Sequence, residues 1–443
     1  MSLSAARNCE GVGAKMAEAE RERLMKSNRV AGEPQADERD SIRGKAGRLL
    51  FVGFPGTLLD DPTQQIDTRQ LLSEVQPGGV VLFGRNIESA QQVDRLTAQI
   101  RDAVQRPVLI GVDQEGGLVD RFRDICEAMP SAKSVRLAGQ TELARKFGAL
   151  TARALRLLGF NLNFAPVLDL SGDNKDNGLR GRTFGESAAS VSRLAGAYLD
   201  GLQEGHIVGC GKHFPGLGGS TVDSHRRLPI VTHSWDEIFE RDLVPFMDLM
   251  FHRPGERLHS VMVSHAAFPE VSEFLQVWFR RTGQLPPLAS LHQLPATISS
   301  NVVMRLLRQA LKFDGLVISD DMEMGAVVQT LSVAEASLRA IQAGSDMVLI
   351  CEQAANVVAA RDAIVAAVEK GELSVERLDR ASQRIDRVLD IAGERESFDP
   401  EEFATVSSDI AELKRALHAA ENDEEYAPLY GTSEGKVRES SNF

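Results

Sequence analysis

The 443-residue sequence predicts an α/β fold, a single (β/α)8 barrel of the TIM type with an extension at each end. Three observations carry this expectation: eight short apolar runs, helix-type patterns between most of them, and polar residues where five of the runs end. The runs are RLLFVGF (48–54), GGVVLFG (78–84), PVLIGVD (107–113), NLNFAPVLDL (161–170), IVGCGKHF (207–214), SVMVSHAAF (260–268), GLVISDD (315–321) and DMVLICE (346–352). They are continuous in Val, Ile and Leu rather than alternating, which suits strands buried on both faces of a parallel sheet.

Between the runs, AQQVDRLTAQIRDAV (90–104), SVSRLAGAYLDGLQEG (190–205), VMRLLRQALKF (303–313) and SVAEASLRAIQAG (332–344) repeat apolar residues every three or four positions, and several close on Gly. An open doubly wound sheet is the competing architecture, but no GxGxxG follows a strand and no GxxxxGK[ST] occurs. In chain order the expectation is a polar extension over 1–45, with a short helix around Glu18 to Lys26, a barrel over 46–400, and an amphipathic helix with a polar tail over 401–443. The stretch 269–295 reads as irregular and long for a barrel loop, as a lid would be.

Hydrophobic residues make up 43% and charged residues 26%, an ordinary globular balance. A net charge of -13 argues against general attraction to nucleic acid or an anionic membrane, and a small, neutral substrate is the easier expectation. Cys9, Cys126, Cys210 and Cys351 show no CxxC spacing, so neither a zinc ribbon nor a disulfide framework is indicated. The charged start lacks the apolar stretch of a secretory signal and no long apolar run follows, so the expected location is cytoplasmic. Oligomeric state is not legible from the sequence.

In a barrel of this kind the strand C-termini share one rim, and that rim is where chemistry is built. Reading each run to its end places Asp113, Gln114 and Glu115, then Asp169, Lys212 with His213, His265, and Asp320 with Asp321 on it. Charges converging in a concave site lose hydration, so a polar ligand explains the pattern better than a structural rim does. Beyond Lys212 and His213 the chain runs through a Gly-rich loop to Asp223-Ser224-His225. Two readings stand for it. Asp223, two positions away and on the same side in extended chain, orients His225 for proton transfer; or Asp-Ser is a turn and the histidine is solvated. Asp320 is likewise a rim carboxylate or a turn cap, and Arg121 and Arg182 either clasp a ligand or form surface ion pairs. The spacing of His213, Asp223 and His225 matches no metal-ligand signature.

The order of DQEGG (113–117), FAPVLDL (164–170), RTFG (182–185), KHFPG with a downstream DSH (212–225) and ISDDMEM (318–324) resembles glycoside hydrolase family 3, in particular its bacterial β-N-acetylglucosaminidase branch. The likeness covers about residues 46 to 400. It implies a barrel, no metal or organic cofactor, and retaining hydrolysis of terminal β-linked N-acetylglucosamine from carbohydrates such as peptidoglycan fragments. By the resemblance Asp320 is the nucleophile, His225 the acid/base and Asp223 its orienting partner, while Asp113, Arg121, Arg182, Lys212 and His213 bind the sugar. The sequence departs from the family pattern at Leu118 and Leu217, where arginine and histidine are common, and in the length of 269–295. A β-glucosidase, a β-N-acetylglucosaminide phosphorylase and a sugar-binding protein without turnover are the alternatives.

Overall fold

Eight parallel strands follow one another in sequence order around a closed ring: β1 (Leu50–Val52), β2 (Gly79–Leu82), β3 (Leu109–Val112), β4 (Leu162–Asn163), β5 (Val208–Phe214), β6 (Ser260–Val263), β7 (Leu316–Asp321) and β8 (Met347–Ile350). β1 pairs with β8 as well as with β2, so the sheet has no free edge. This architecture is seen in a computed structural model, which describes residues 36–60, 67–171, 178–220, 227–252, 258–281 and 294–421. Each apolar run holds one strand, as expected for sequence whose both faces are buried. The expected helix around Glu18 to Lys26 and the polar tail lie outside the described residues.

Inside the ring Phe51, Phe164, Leu109, Val208, Leu316 and Met347 fill the barrel, with the Phe51 and Phe164 rings edge-on at 5.3 Å. Ile385 and Val388 of the helix Val375–Ile391 join the same cluster. Helices begin where the sequence supplies a cap: Ser89 and Gln92 form a reciprocal box before Ala90–Val104, and Ser332 opens Val333–Ala343. The patterned stretch near 303–313 is a helix, Asn301–Ala310, wound with wider π-type bonds such as Leu311 N–H to the Leu306 carbonyl at 2.8 Å.

The chain divides after Ile42, and the barrel lies wholly within the unit Arg43–Phe443. That unit includes the helix Pro400–Glu421, whose Phe403, Val406, Ile410, Leu413 and Leu417 are buried at helical spacing. It packs on the helices Ala132–Ala138 and Thr141–Leu157, and its Ser407 hydroxyl accepts the Glu127 N–H at 2.8 Å. The stretch expected to be irregular from residue 269 is a helix over Pro269–Arg281, a correction to the sequence reading. Pro269 opens the helix, Val271 and Leu275 are buried, and Phe274 stacks on Trp235 at 4.1 Å, so one apolar face is satisfied. Residues 282–293 lie outside the described residues. Of the cysteines, Cys210 and Cys351 are buried and Cys126 is half-buried, all three as free thiols.

Candidate active site

At the C-terminal end of β3 the strand alternation puts Asp113 and Glu115 on one side, and the end of β5 brings Lys212 to both. The Lys212 Nζ lies 2.6 Å from Asp113 Oδ1 and 2.6 Å from Glu115 Oε1. From the segment after β4, Arg182 grips Glu115 with two parallel bonds, Nε to Oε2 and Nη2 to Oε1, each 2.8 Å. Burial alone would push the Glu115 carboxyl up, but the charges of Arg182 and Lys212 override it and hold the group well below the usual carboxylate range. The same attraction raises Lys212 and Arg182 against the burial that would lower them. These ion pairs stand in a nearly closed environment in which the Lys212 side chain is 3% exposed.

Next to Lys212, His213 faces the carboxylate at the end of the fourth run. Its Nδ1 is 2.6 Å from Asp169 Oδ2, while Asp169 Oδ1 accepts the Leu217 N–H at 2.6 Å. A carboxylate opposite Nδ1 accepts only, so the hydrogen of this contact sits on Nδ1. Leu217 is buried here, a core side chain whose backbone N–H holds Asp169. Leu118 is 59% exposed at the tip of the turn closed by the Glu115 N–H and the Val119 carbonyl.

Arg121 is fixed through its backbone, with its N–H donating to Gln114 Oε1 at 2.8 Å and Gln114 in turn bonded to Asp120. Its guanidinium carbon stands 5.9 Å from the Phe83 ring centroid, and its Nε is buried without a hydrogen-bond partner. On β7, Asp320 Oδ1 accepts the Asp321 N–H at 2.9 Å, and Asp321 Oδ1 accepts the Glu323 N–H at 3.1 Å. Burial first, then the charges of Glu323 and Asp320, push the Asp321 carboxyl up to about 7.

Asp223 and His225 fall outside the described residues, which resume at Arg227. The two ends of their loop are described and are pinned together by a bridge between Ser220 and Val231. Gly216, at φ +129°, sits so close to Asp242 that a Cβ would lie 2.7 Å from the Asp242 Cβ, and a Cβ on Gly219 would strike the His233 ring. His233 Nδ1 and Asp242 Oδ2 are 2.7 Å apart beneath these glycines. The glycines thus serve close packing at the loop base as well as backbone freedom.

Of the residues expected at the site, Asp113, Lys212 and Arg182 meet around Glu115, and His213 stands beside them in sequence with Asp169. Glu115 and Asp169 were legible as strand-end residues but not as the hubs they are; the i, i+2 spacing of positions 113 and 115 is the signal that could have found Glu115. Chemically, a rim that offers fixed donors and acceptors of both signs suits a neutral ligand rich in hydroxyl and amide groups.

The family model described as Glycosyl hydrolase family 3 N terminal domain matches residues 41–388. The β-hexosaminidase of Tolumonas auensis is 34% identical over 317 residues, which are 71% of this chain and 86% of that protein. The β-hexosaminidase of Idiomarina loihiensis is 30% identical over 344 residues, 77% of this chain and 92% of that one. Among solved structures, a glycoside hydrolase family 3 β-N-acetylglucosaminidase from Paenibacillus sp. str. FPU-7 aligns with a TM-score of 0.72 at 32% identity, covering 84% of this chain and 68% of that one. NagZ from Neisseria gonorrhoeae, solved with N-trifluoroacetyl-D-glucosamine, aligns with a TM-score of 0.62 at 27% identity, covering 82% and 97%. With the closed barrel, the rim cluster and a family match over most of its length, the chain belongs to glycosyl hydrolase family 3.

Proposed function

We propose that this chain is a retaining exo-β-N-acetylglucosaminidase that removes terminal β-linked N-acetylglucosamine, with peptidoglycan fragments in the cytoplasm as its natural substrates. In this reading the Asp320 carboxylate attacks the anomeric carbon as the bond to the leaving oxygen breaks, giving a glycosyl ester on Asp320. His225, oriented by Asp223, gives its proton to the departing oxygen. It then takes a proton from the water that attacks the anomeric carbon as the bond from that carbon to Asp320 breaks, which frees the sugar and restores the carboxylate. An imidazole suits both half-reactions near neutral pH and avoids a second anion beside the nucleophile.

The observation that carries the proposal is the buried cluster of Asp113, Lys212, Glu115 and Arg182 on the rim that also bears Asp320. Two of the three Lys212 hydrogens face Asp113 and Glu115, and we assign the third to a sugar hydroxyl. In the same reading the Asp113 carboxylate and the His213 ring supply further hydroxyl partners, and Arg121 and Arg182 complete the sugar subsite. The names of the relatives support this sugar and this bond. The test is covalent trapping with a ring-fluorinated N-acetylglucosaminyl fluoride followed by peptide mapping. Label is expected on the peptide bearing Asp320, and label on another residue overturns the assignment. Parallel assays with chromogenic N-acetylglucosaminide and glucoside, with and without phosphate, separate this activity from glucosidase and phosphorylase action.

A further inference from the structure

The side chain of His265 is fully buried between the ends of β6 and β7 and has no part in the chemistry proposed above. We propose that His265 is a positioning residue for the Asp320 carboxylate, acting through the backbone of Asp321 and held in its donor form by Thr297; this rests on the reading of Asp320 as nucleophile.

The β6–β7 ladder ends with the pair Val263 and Ser319, one residue short of Asp320. On the other side the β7–β8 register slips between Ile318 and Asp321. The strand end that carries Asp320 therefore lies where regular pairing stops on one side and is irregular on the other. There His265 takes over: its Nε2 lies 2.7 Å from the Asp321 carbonyl oxygen. A carbonyl only accepts, so Nε2 carries the hydrogen. The other ring nitrogen, Nδ1, is 2.7 Å from Thr297 Oγ1, so the threonine hydroxyl donates to it and fixes that tautomer. Holding the Asp321 carbonyl sets the backbone angles of Asp321, whose N–H in turn donates to Asp320 Oδ1 at 2.9 Å. A carboxylate that attacks carbon must hold its direction closely, because a displacement of about 1 Å costs on the order of 100-fold in rate.

Thr297 is itself well placed to hold the ring. It lies on the turn Ala296–Ile298, to which the chain returns after the excursion beyond β6. The Ala296 N–H donates to the Ala266 carbonyl at 2.7 Å and the Thr297 N–H to the Ser264 carbonyl at 3.2 Å, clamping the turn on both sides of His265.

The experiment uses the full chain and three variants: His265→Leu, His265→Gln and Thr297→Val. The Gln side chain offers an amide N–H where Nε2–H stood, and Val keeps the Thr shape without the hydroxyl. The readouts are the rate of covalent trapping at Asp320, the split between kcat and KM, and turnover of substrates with good and poor leaving groups. Trapping in His265→Leu is expected to slow by about 100-fold, equally for both leaving-group classes and with KM little changed. His265→Gln restores most of the rate, and Thr297→Val falls between. A folded His265→Leu that traps at the wild-type rate overturns the proposal, as does slowing that grows with leaving-group pKa. If His265→Leu does not fold, a Thr297→Val protein with unchanged trapping overturns it instead. Label on a residue other than Asp320 in the wild type sinks the nucleophile assignment, whereas label on Asp320 with normal trapping in the variants sinks only the role of His265.

Discussion

Two carboxyl groups at this site are moved in opposite directions, and each movement has a pH consequence. Glu115 is held low because Arg182 and Lys212 outweigh its burial, so it adds stability above its unfolded value of 4.5, and that stability is lost as pH falls. Glu115→Gln leaves two buried cations short of a partner and should cost about 3–5 kcal/mol at neutral pH by chemical denaturation. The variant should also show a shallower loss of Tm on acidification than the wild type; an equally steep acid limb would mean that Glu115 is not the group responsible. Asp321 is raised, to about 7, by burial and then by neighbouring negative charge. Its folded form holds a proton that the unfolded chain gives up, so its contribution is fully present at low pH and disappears as pH rises through about 7. Asp321→Asn should therefore gain Tm relative to the wild type on passing from slightly acid to slightly alkaline buffer, as read by thermal melts across that window.

The loop and helix elements around the mouth show what the sequence revealed and what it hid. Runs such as GLVIS and DMVLI were legible as strands because continuous β-branched and Leu-rich stretches suit only a doubly buried position. The helix Pro269–Arg281 was not, because the Pro-rich text that follows dominates the reading. The strand-end residues were legible one by one, but their pairing was not: Arg182 and Glu115 are 67 residues apart and Lys212 and Asp113 are 99 apart. Such contacts follow from barrel closure and leave no local signal. Gly216 shows the same at the base of the His225 loop, where its glycine is required by positive φ and by Asp242. Gly216→Ala should cost about 1–3 kcal/mol of stability and lower kcat more than it raises KM, since the strained position is at the loop base rather than among the residues proposed to bind the sugar. Unchanged kcat with lowered Tm would confine Gly216 to packing.

Across the whole barrel, ionic clusters sit at both ends and have different consequences. At the N-terminal end Asp346, fully buried just before β8, receives Arg308, takes the Arg384 Nη1 at 3.2 Å and has Arg377 Nη1 at 3.6 Å, while its Oδ2 accepts the Val317 N–H at 3.0 Å. These contacts tie β7, β8 and the helix Val375–Ile391 together below the barrel. The cluster around Glu115 has similar burial and pairing but lies on the opposite rim, the one that bears Asp320. If position in the barrel decides what a buried ion cluster does, the two ends must respond differently to loss of charge. Asp346→Asn removes the anion that faces three arginines and should cost about 3–5 kcal/mol in denaturant unfolding, with kcat and KM on an aryl N-acetylglucosaminide unchanged in the remaining folded protein. Lys212→Met should instead lower kcat/KM by on the order of 100-fold or more, as loss of one pre-placed charged donor does. Its loss of stability would accompany this without explaining it, because the assay is made well below its melting temperature. A large loss of turnover in Asp346→Asn under the same conditions would show that the lower cluster bears on the chemistry, and the division of the barrel into a stabilising end and a reacting end would have to be abandoned.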